Sequence, residues 1–244
     1  MQLEADLHTH TLASGHAFST VREMALYAAR KRLKMIAVTD HGIRMPGGPH
    51  PYYFTQLSGL PDQICGVEVL KGVEANIIDG QGNLDMSPDI LENLDLVIAG
   101  FHDGTGYPGG SVEQNTAALI AAIHNPMVHI IAHPGNPLYP VEMEKIVLAA
   151  KAAGKALEIN NGSFTFCRPG SRPRCEYMAK LAAKSGVLVS IASDAHNCFK
   201  VGEWEHAVQV AERAGIRPEN VLNSSTGLVR EFLRRMRGRI RKIS

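Results

Sequence analysis

Histidine and acidic side chains recur in short motifs along this chain of 244 residues. The first motif is DLHTH, in which His8 and His10 are two positions apart. Because side chains alternate across a β-strand, both imidazoles would point to the same face and could bind one divalent ion. The H-x-H spacing is weakly specific by itself, since two ordinary polar residues at a strand end would also produce it.

Five further motifs carry the same kinds of side chain, and each follows a short apolar run. They are VTDHG with Asp40 and His41, GVEAN with Glu74, AGFHD with His102, IAHPG with His133, and SDAH with Asp194 and His196. Runs rich in Val, Ile and Leu are typical of buried parallel strands, whose carboxyl ends lie at one rim. Six of the eleven histidines occupy these strand ends, and His16 lies in the loop after the first strand, so we expect the side chains to meet in space.

The resulting candidate ligands are His8, His10, His16, His41, Glu74, His102, His133, Asp194 and His196. A tetrahedral site takes four ligands, so this set predicts two or three ions. Imidazoles and carboxylates without cysteine suit zinc, manganese or iron, and differ from a cysteine-rich structural zinc site or an oxygen-only magnesium or calcium site. Clustered divalent ions generate hydroxide near neutral pH and stabilise phosphoryl displacement, so the set predicts phosphoester hydrolysis. The other histidines, His50, His124, His129 and His206, are expected to pack or to face solvent.

Seven apolar runs are predicted to be the strands that position these side chains. They cover residues 3–8, 35–39, 69–75, 94–101, 128–132, 156–160 and 187–193. Helical patterns lie between most of them, at 24–34 after a capping box of Thr20 and Glu23, and at 116–125, 140–153, 173–185, 202–214 and 225–237. The Pro and Gly clusters at 46–51, 104–110 and 134–140 are too short to link domains.

This alternation predicts an α/β fold in a single domain over residues 1–244. No Gly-rich nucleotide fingerprint follows the first strand, which favours a closed or nearly closed barrel over an open doubly wound sheet. In either architecture, the carboxyl ends of the strands are where chemistry is expected.

The overall composition argues against several classes of protein. A formal net charge of +1 provides no general attraction for a polyanion, so nucleic acid is not expected as a partner. The four cysteines, Cys65, Cys167, Cys175 and Cys198, show no C-x-x-C spacing and are expected to pack as small buried side chains in a reducing compartment. The chain shows no export signal and no apolar run of roughly 18 residues, so a cytoplasmic protein without a membrane partner is expected.

Basic residues are concentrated near the C-terminus. They are Arg230, Arg234, Arg235, Arg237, Arg239, Arg241 and Lys242. Such a run could contact nucleic acid or another subunit. Because few aromatic residues are interleaved with it, we expect a frayed, solvated helix end instead.

Together, the motifs resemble the polymerase and histidinol phosphatase (PHP) superfamily, and most closely its small bacterial YcdX-like phosphatases. The matching segments are DLHTHTLASGHAFST, VTDHG, GVEANI, IAGFH, HIIAHPGNP, EINNGSF and SDAHN, in the family's order and over nearly the whole chain. The resemblance implies a distorted, TIM-barrel-like (β/α)7 barrel. It also implies a trinuclear metal centre, usually of zinc, with manganese or iron as alternatives.

The resemblance also distributes the ligands among the three ions. The first ion would be bound by His8, His10, Glu74 and Asp194, and the second by His16, His41 and His196, while Glu74 would bridge to a third ion held by His102 and His133. On this basis we expect hydrolysis of a small phosphomonoester by attack of a metal-bridging hydroxide on phosphorus.

Three further residues are predicted to assist catalysis. Asp40, beside His41, would support a neighbouring ligand or carry a proton, or else cap a helix or stabilise a turn. Arg44 and Arg168, both in loops after strands, would bind phosphoryl oxygens in a bidentate fork, or else be solvated loop charges. Among amide side chains, Asn136, Asn160 and Asn161 are candidates for orienting substrate hydroxyls or for turn roles.

Other functions remain open at this point. A histidinol-phosphate phosphatase or a nuclease-like phosphodiesterase would use the same ligands on another substrate. A non-catalytic metal-binding module is a further alternative, but such members tend to have lost ligands, whereas this chain retains all nine. A homo-oligomer also remains open.

Overall fold

The apolar runs form a sheet of parallel strands, and the computed structural model describes residues 1–165 and 167–240. The strands are β1 Ala5–Thr9, β2 Met35–Val38, β3 Gln63–Ile64, β4 Val67–Asn76, β5 Leu96–Gly100, β6 Ile130–Ile131, β7 Ala156–Asn160 and β8 Val189–Ala192. Seven of them pair in the order β1-β2-β4-β5-β6-β7-β8, and all of these pairings are parallel. The remaining strand, β3, is antiparallel to β4.

Hydrogen bonds just beyond β8 bring the last strand back to the first. The Asp194 backbone N–H donates to the His8 carbonyl at 3.1 Å, and the His10 N–H donates to the Ala195 carbonyl at 2.9 Å. The sheet is therefore a nearly closed, distorted barrel of seven parallel strands, which confirms the predicted α/β barrel class.

Helices surround this barrel and close its amino end. They are α1 Val21–Arg30, α2 Pro51–Gln56, α3 Pro88–Glu92, α4 Val112–His124, α5 Met143–Ala153, α6 Arg172–Ser185, α7 Glu205–Ala214 and α8 Thr226–Ile240. The predicted capping box precedes α1: Thr20 accepts from the Glu23 N–H, and the Glu23 carboxylate accepts from the Thr20 N–H. This cap starts the helix at Val21, three residues before the predicted start at Met24.

The prediction missed three short elements, α2, α3 and β3. Both α2 and α3 begin with a proline, Pro51 and Pro88, whose missing N–H needs no partner in the first helical turn. The Pro and Gly cluster at 46–51 therefore leads into a helix rather than forming only a loop. Several strand bounds also differ by one or two residues, and β6 pairs over only Ile130–Ile131 of the predicted 128–132.

The C-terminal helix α8 packs on the barrel through its apolar residues instead of ending as a frayed segment. Val229, Phe232, Leu233 and Met236 are buried in a cluster that includes Ala5, Leu7, Met35, Leu96 and Ile130 from the amino ends of the strands. Arg230 pairs with Glu68, and Arg237 lies 2.7 Å from Asp95. The described arginines of this run, Arg230, Arg234, Arg235 and Arg237, are exposed as predicted, but the predicted fraying is wrong here because α8 continues as a helix to Ile240. The side chain of Arg239, and all of Arg241 and Lys242, lie outside the described residues.

The cysteines divide into two buried and two exposed thiols. Cys175 and Cys198 are buried as predicted, whereas Cys65 and Cys167 are exposed. Cys65 lies in the tight turn between β3 and β4 with a φ of 54°, and Cys167 lies in the loop after β7, so neither faces the core. Within residues 1–165 and 167–240, no helix combines the length and apolarity needed to cross a membrane.

Candidate metal centre

The nine predicted ligands meet at the carboxyl ends of the strands, on the opposite side of the barrel from α8. Ala5 and Leu7 of β1 pack in the cluster beside α8. Because side chains alternate along a regular strand, His8 would be expected on the opposite face of β1, away from the other ligands. A shift of the β1–β2 register between Asp6 and Thr9 breaks this alternation. As a result, His8 and His10 both face the acidic ligands.

The first group of ligand atoms, called here the Asp194 group, consists of His8, His10, Asp194 and Oε2 of Glu74. His8 Nε2 lies 3.0 Å from His10 Nε2 and 3.2 Å from Glu74 Oε2. Asp194 Oδ1 lies 3.2 Å from His10 Nε2 and 3.5 Å from His8 Nε2. Ligand atoms on a tetrahedral zinc ion are separated by about 3.3 Å, so the four atoms have the spacing of one coordination sphere.

The second group, called the His133 group, is formed by His102, His133 and the other carboxylate oxygen of Glu74. Glu74 Oε1 lies 3.0 Å from His102 Nε2 and 2.8 Å from His133 Nε2, and the two nitrogens are 3.2 Å apart. The two carboxylate oxygens of Glu74 thus belong to different ligand groups, Oε2 to the Asp194 group and Oε1 to the His133 group.

The third group, called the His196 group, consists of His16, His41 and His196 at the outer edge of the site. His16 Nε2 and His196 Nε2 are 3.1 Å apart, and the His41 ring stacks on that of His16 with centroids 5.0 Å apart. His10 connects this group to the Asp194 group, because ligand atoms of His10, His41 and His196 all lie within 4.8 Å of one another.

Two buried ligand atoms approach closely without forming a hydrogen bond. His41 Nδ1 lies 2.9 Å from Glu74 Oε2, yet neither atom has a hydrogen-bond partner among the described residues. Buried polar atoms are normally paired, and nitrogen and oxygen atoms that converge in this way are the usual environment of a metal ion. The residues therefore fit a centre of divalent ions.

Burial sets the protonation of most of the imidazoles. It lowers the pKa of His10, with the nearby His41 and His196 lowering it further, to well below the usual value. Burial is likewise the main reason that the pKa values of His102 and His133 are lowered. These rings are consequently neutral near pH 7, which is the form that binds metal ions.

The carboxylates remain ionised despite their burial. Burial raises the pKa of Glu74, but His8, His102 and His41 outweigh it and hold that pKa well below the usual value. His8 is the exception among the imidazoles, because Glu74, Glu158 and Asp194 raise its pKa in spite of burial. A divalent ion on the same carboxylates would compete with that proton.

Glu158 on β7 is a buried acid at the site that the spacing of motifs did not single out. Its Oε1 lies 2.6 Å from His8 Nδ1, and its Oε2 accepts from the His133 backbone N–H at 2.8 Å. The available signal was its strand position, two residues before Asn160 and on the same face of β7.

Asp40 lies behind the ligands and has four hydrogen-bond donors. It accepts from the Thr11 N–H at 2.6 Å and from the hydroxyls of Thr11, Ser14 and Tyr53. Ser14 Oγ is in turn 3.1 Å from His10 Nδ1. Through Ser14, the carboxylate thus supports a ligand ring and the loop that carries His16.

The two predicted arginines occupy different positions. Arg168 lines a cavity of about 630 Å³ above the ligands, where it donates to Asp194 Oδ2 at 2.9 Å and to Asn160 Oδ1 at 3.3 Å. Although burial lowers the pKa of Arg168, Asp194 and Glu74 raise it overall. Arg44 is exposed on the loop after β2, beside Gly106, and is not among the described residues that line this cavity.

The three asparagines predicted to orient substrate hydroxyls or to form turns also differ in their positions relative to the ligands. Asn160 Nδ2 donates to Asp194 Oδ2 at 3.1 Å, so it contacts a ligand. Asn161 lines the cavity, although its side-chain oxygen accepts from the Ala207 N–H. Asn136 accepts from the Leu138 N–H, which is a local turn interaction.

A barrel with histidines and carboxylates at the carboxyl ends of its strands defines a class of metal-binding α/β barrels. Residues 6–213 match the family model of the PHP domain. The chain therefore belongs to the PHP family, which confirms the resemblance found in the motifs.

Proteins of related sequence are named as probable phosphatases. A protein of Thermoanaerobacter sp. (strain X514) named as a probable phosphatase is 50% identical over 240 residues, which cover 98% of each chain. Another probable phosphatase, from Shewanella sp. (strain ANA-3), is 41% identical over 233 residues, covering 96% of this chain and 92% of the relative.

Among solved structures, the histidinol phosphate phosphatase of Lactococcus lactis, complexed with zinc, L-histidinol and phosphate, superposes with a TM-score of 0.66. It is 19% identical, and the match covers 89% of this chain and 95% of that chain. The comparison supports the shared barrel fold.

Proposed function

We propose that this protein is a metal-dependent phosphatase that hydrolyses small phosphomonoesters at a centre of three divalent ions. The observation that carries the proposal is the joining of three ligand groups through Glu74 and His10, with ligand atoms near coordination spacing in the two groups that Glu74 joins. Relatives named as probable phosphatases support the same reaction class.

Zinc is the metal that we propose for these groups, with manganese and iron as alternatives for imidazole and carboxylate ligands. Divalent ions in such a centre supply hydroxide near neutral pH and neutralise charge on the phosphoryl oxygens. The nine side chains hold the ions, and Glu74 belongs to two of the groups. No protein nucleophile is required.

Arg168 is proposed to bind a non-bridging oxygen of the phosphoryl group. Its guanidinium lines the cavity, and its side chain is 14% exposed and ion-paired with the ligand Asp194. A planar guanidinium matches phosphate oxygens in a fork of two hydrogen bonds. The cavity volume of about 630 Å³ suits a small-molecule substrate.

Hydrolysis of p-nitrophenyl phosphate before and after removal of metal tests this proposal. We expect turnover by the purified protein, its loss on treatment with a chelator, and its recovery when zinc, manganese or iron is restored. Absence of activity in the metal-loaded protein, or activity that survives complete metal removal, would refute it.

A substrate panel separates the remaining alternatives. Bis-p-nitrophenyl phosphate reports phosphodiesterase activity, and L-histidinol phosphate reports the histidinol phosphatase reaction. We expect phosphomonoesters to be hydrolysed at higher kcat/KM than the diester. A preference for the diester would favour the nuclease-like alternative.

A further inference from the structure

The strand β7 supplies none of the nine candidate ligands, yet its residue Glu158 contacts two of them, His8 and His133. Glu158 is 2% exposed, and its two carboxylate oxygens face different neighbours. One oxygen lies 2.6 Å from His8 Nδ1, whereas the other accepts from the backbone N–H of His133 at 2.8 Å. These two histidines belong to different groups, the Asp194 group and the His133 group.

The contact with His8 determines which nitrogen of that ring is available to an ion. An ionised carboxylate only accepts, so His8 Nδ1 must carry the proton that it donates to Glu158. The other nitrogen, Nε2, is then the one that an ion in the Asp194 group would bind in place of a second proton, and it lies 3.2 Å from Glu74 Oε2 and 3.0 Å from His10 Nε2. A carboxylate in this position also makes the imidazole a stronger metal ligand.

The contact with His133 fixes a strained backbone. His133 has a φ of 29°, which a non-glycine residue rarely adopts. The hydrogen bond from its N–H to Glu158 holds this conformation while His133 Nε2 lies 2.8 Å from Glu74 Oε1. Asn160 extends the contact by donating to both Glu158 Oε2, at 3.0 Å, and Asp194 Oδ2, at 3.1 Å.

We infer that Glu158 is a positioning residue shared by two of the ion positions. It orients His8 in the Asp194 group and His133 in the His133 group, and among the described residues it forms no hydrogen bond or ion pair with the His196 group. This inference rests on the proposed metal centre. Glu158 would bind no ion itself, yet it would control the affinity of the Asp194 group and the His133 group for their ions.

The variant Glu158→Gln tests the inference by removing one of the two acceptors. Glutamine has a single acceptor oxygen and an amide that donates, so it cannot accept from both His8 Nδ1 and the His133 N–H. We expect zinc affinity, measured by competition with a chromogenic chelator, to fall about 10- to 100-fold at two positions. The third position should retain the wild-type affinity, because the variant leaves the His196 group unaltered.

Two controls separate positioning from general destabilisation. Glu176→Gln, on the exposed surface of α6 where Glu176 faces Arg172 at 3.7 Å, should bind zinc as the wild type does. Thermal unfolding of the zinc-free proteins measures the structural effect alone. Lower stability of zinc-free Glu158→Gln with unchanged zinc affinity would overturn the inference.

The conservative variant Glu158→Asp provides a second test that does not require Glu158→Gln to fold. It retains the charge and both acceptors on a side chain one methylene shorter, so we expect affinity between those of the wild type and Glu158→Gln. If only Glu158→Asp folds, an affinity equal to that of the wild type would overturn the inference. Failure of the wild type to bind zinc would instead refute the metal centre itself.

Discussion

Glu74 contacts five imidazoles through its two carboxylate oxygens. Oε2 lies 3.2, 3.5 and 2.9 Å from nitrogens of His8, His10 and His41, and Oε1 lies 3.0 and 2.8 Å from those of His102 and His133. A single buried anion therefore joins the ligand groups, and its removal is expected to affect more than one ion.

Replacing this anion is the first prediction at the residue scale. We expect Glu74→Gln to lower kcat on p-nitrophenyl phosphate by about 10²-fold or more, because a neutral amide cannot support two ions as the carboxylate does. Metal content should be measured on the same sample. Near-normal turnover with all metal retained would rule out the bridging role.

The arginines give a second prediction. We expect Arg168→Gln to raise KM for p-nitrophenyl phosphate and weaken inhibition by inorganic phosphate, each by about 10-fold, through loss of a charge-assisted hydrogen bond. Arg44→Gln should have a smaller effect, because Arg44 is exposed and outside the cavity lining within the described chain. The exposed Arg172→Gln serves as the matched control. A larger effect from Arg44→Gln than from Arg168→Gln would reverse the proposed assignment.

The spacing of residues predicted the meeting of the ligands but not the role of Glu158. His8, His41, His102 and His133 follow apolar runs, so parallel strands bring them to one rim. Glu158 lies within a run, where a single acid resembles any other polar residue on a strand. Its contact with the His133 N–H depends on the backbone conformation just after β6, a different strand. The sequence around Glu158 does not predict that conformation.

At the scale of elements, α8 is the part of the fold whose role differs most from the prediction. Its arginines suggested a solvated end, but Val229, Phe232 and Met236 recur at helical spacing and are buried against the barrel. The helix has an apolar face that packs on the barrel and a charged face that is exposed to solvent. A prediction based on the charges alone therefore described only the exposed face. Elsewhere, α2 and β3 were missed because they have only six and two residues, too few for a periodic pattern.

The packing of α8 leads to a stability prediction. We expect Phe232→Ala to lower the free energy of unfolding by about 3–5 kcal/mol, since Phe232 is 3% exposed in the cluster that closes the amino end of the barrel. Urea unfolding monitored by circular dichroism measures this change. The exposed Arg234→Ala should change it by less than about 0.5 kcal/mol. Equal effects of the two variants would show that α8 is not packed as described.

At the scale of the whole molecule, His129 makes stability depend on pH. Burial, with Lys155 and Arg237 nearby, lowers the pKa of His129 to about 3. Its Nδ1 accepts from the Val97 N–H at 2.9 Å. Between pH 6.5 and 3 the unfolded chain therefore binds a proton at this residue that the folded chain does not, and folding stability falls as the pH falls.

His129→Asn tests this linkage because asparagine keeps an acceptor near the Val97 N–H but does not titrate. On lowering the pH from 7 to 5, the free energy of unfolding should fall by about 2 kcal/mol less in the variant than in the wild type. Urea unfolding at both pH values and at equal metal content gives the comparison. Identical losses in the two proteins would contradict the lowered pKa of His129.

The central claim is that strand-end histidines and carboxylates from the whole length of the chain together hold a cluster of ions. A crystal structure of the zinc-loaded protein, with anomalous diffraction recorded at the zinc edge, tests it most directly. We predict three zinc positions, one in each ligand group, with Glu74 bound to two of them. A map without zinc at these groups, or with one ion that Glu74 does not contact, would contradict the account.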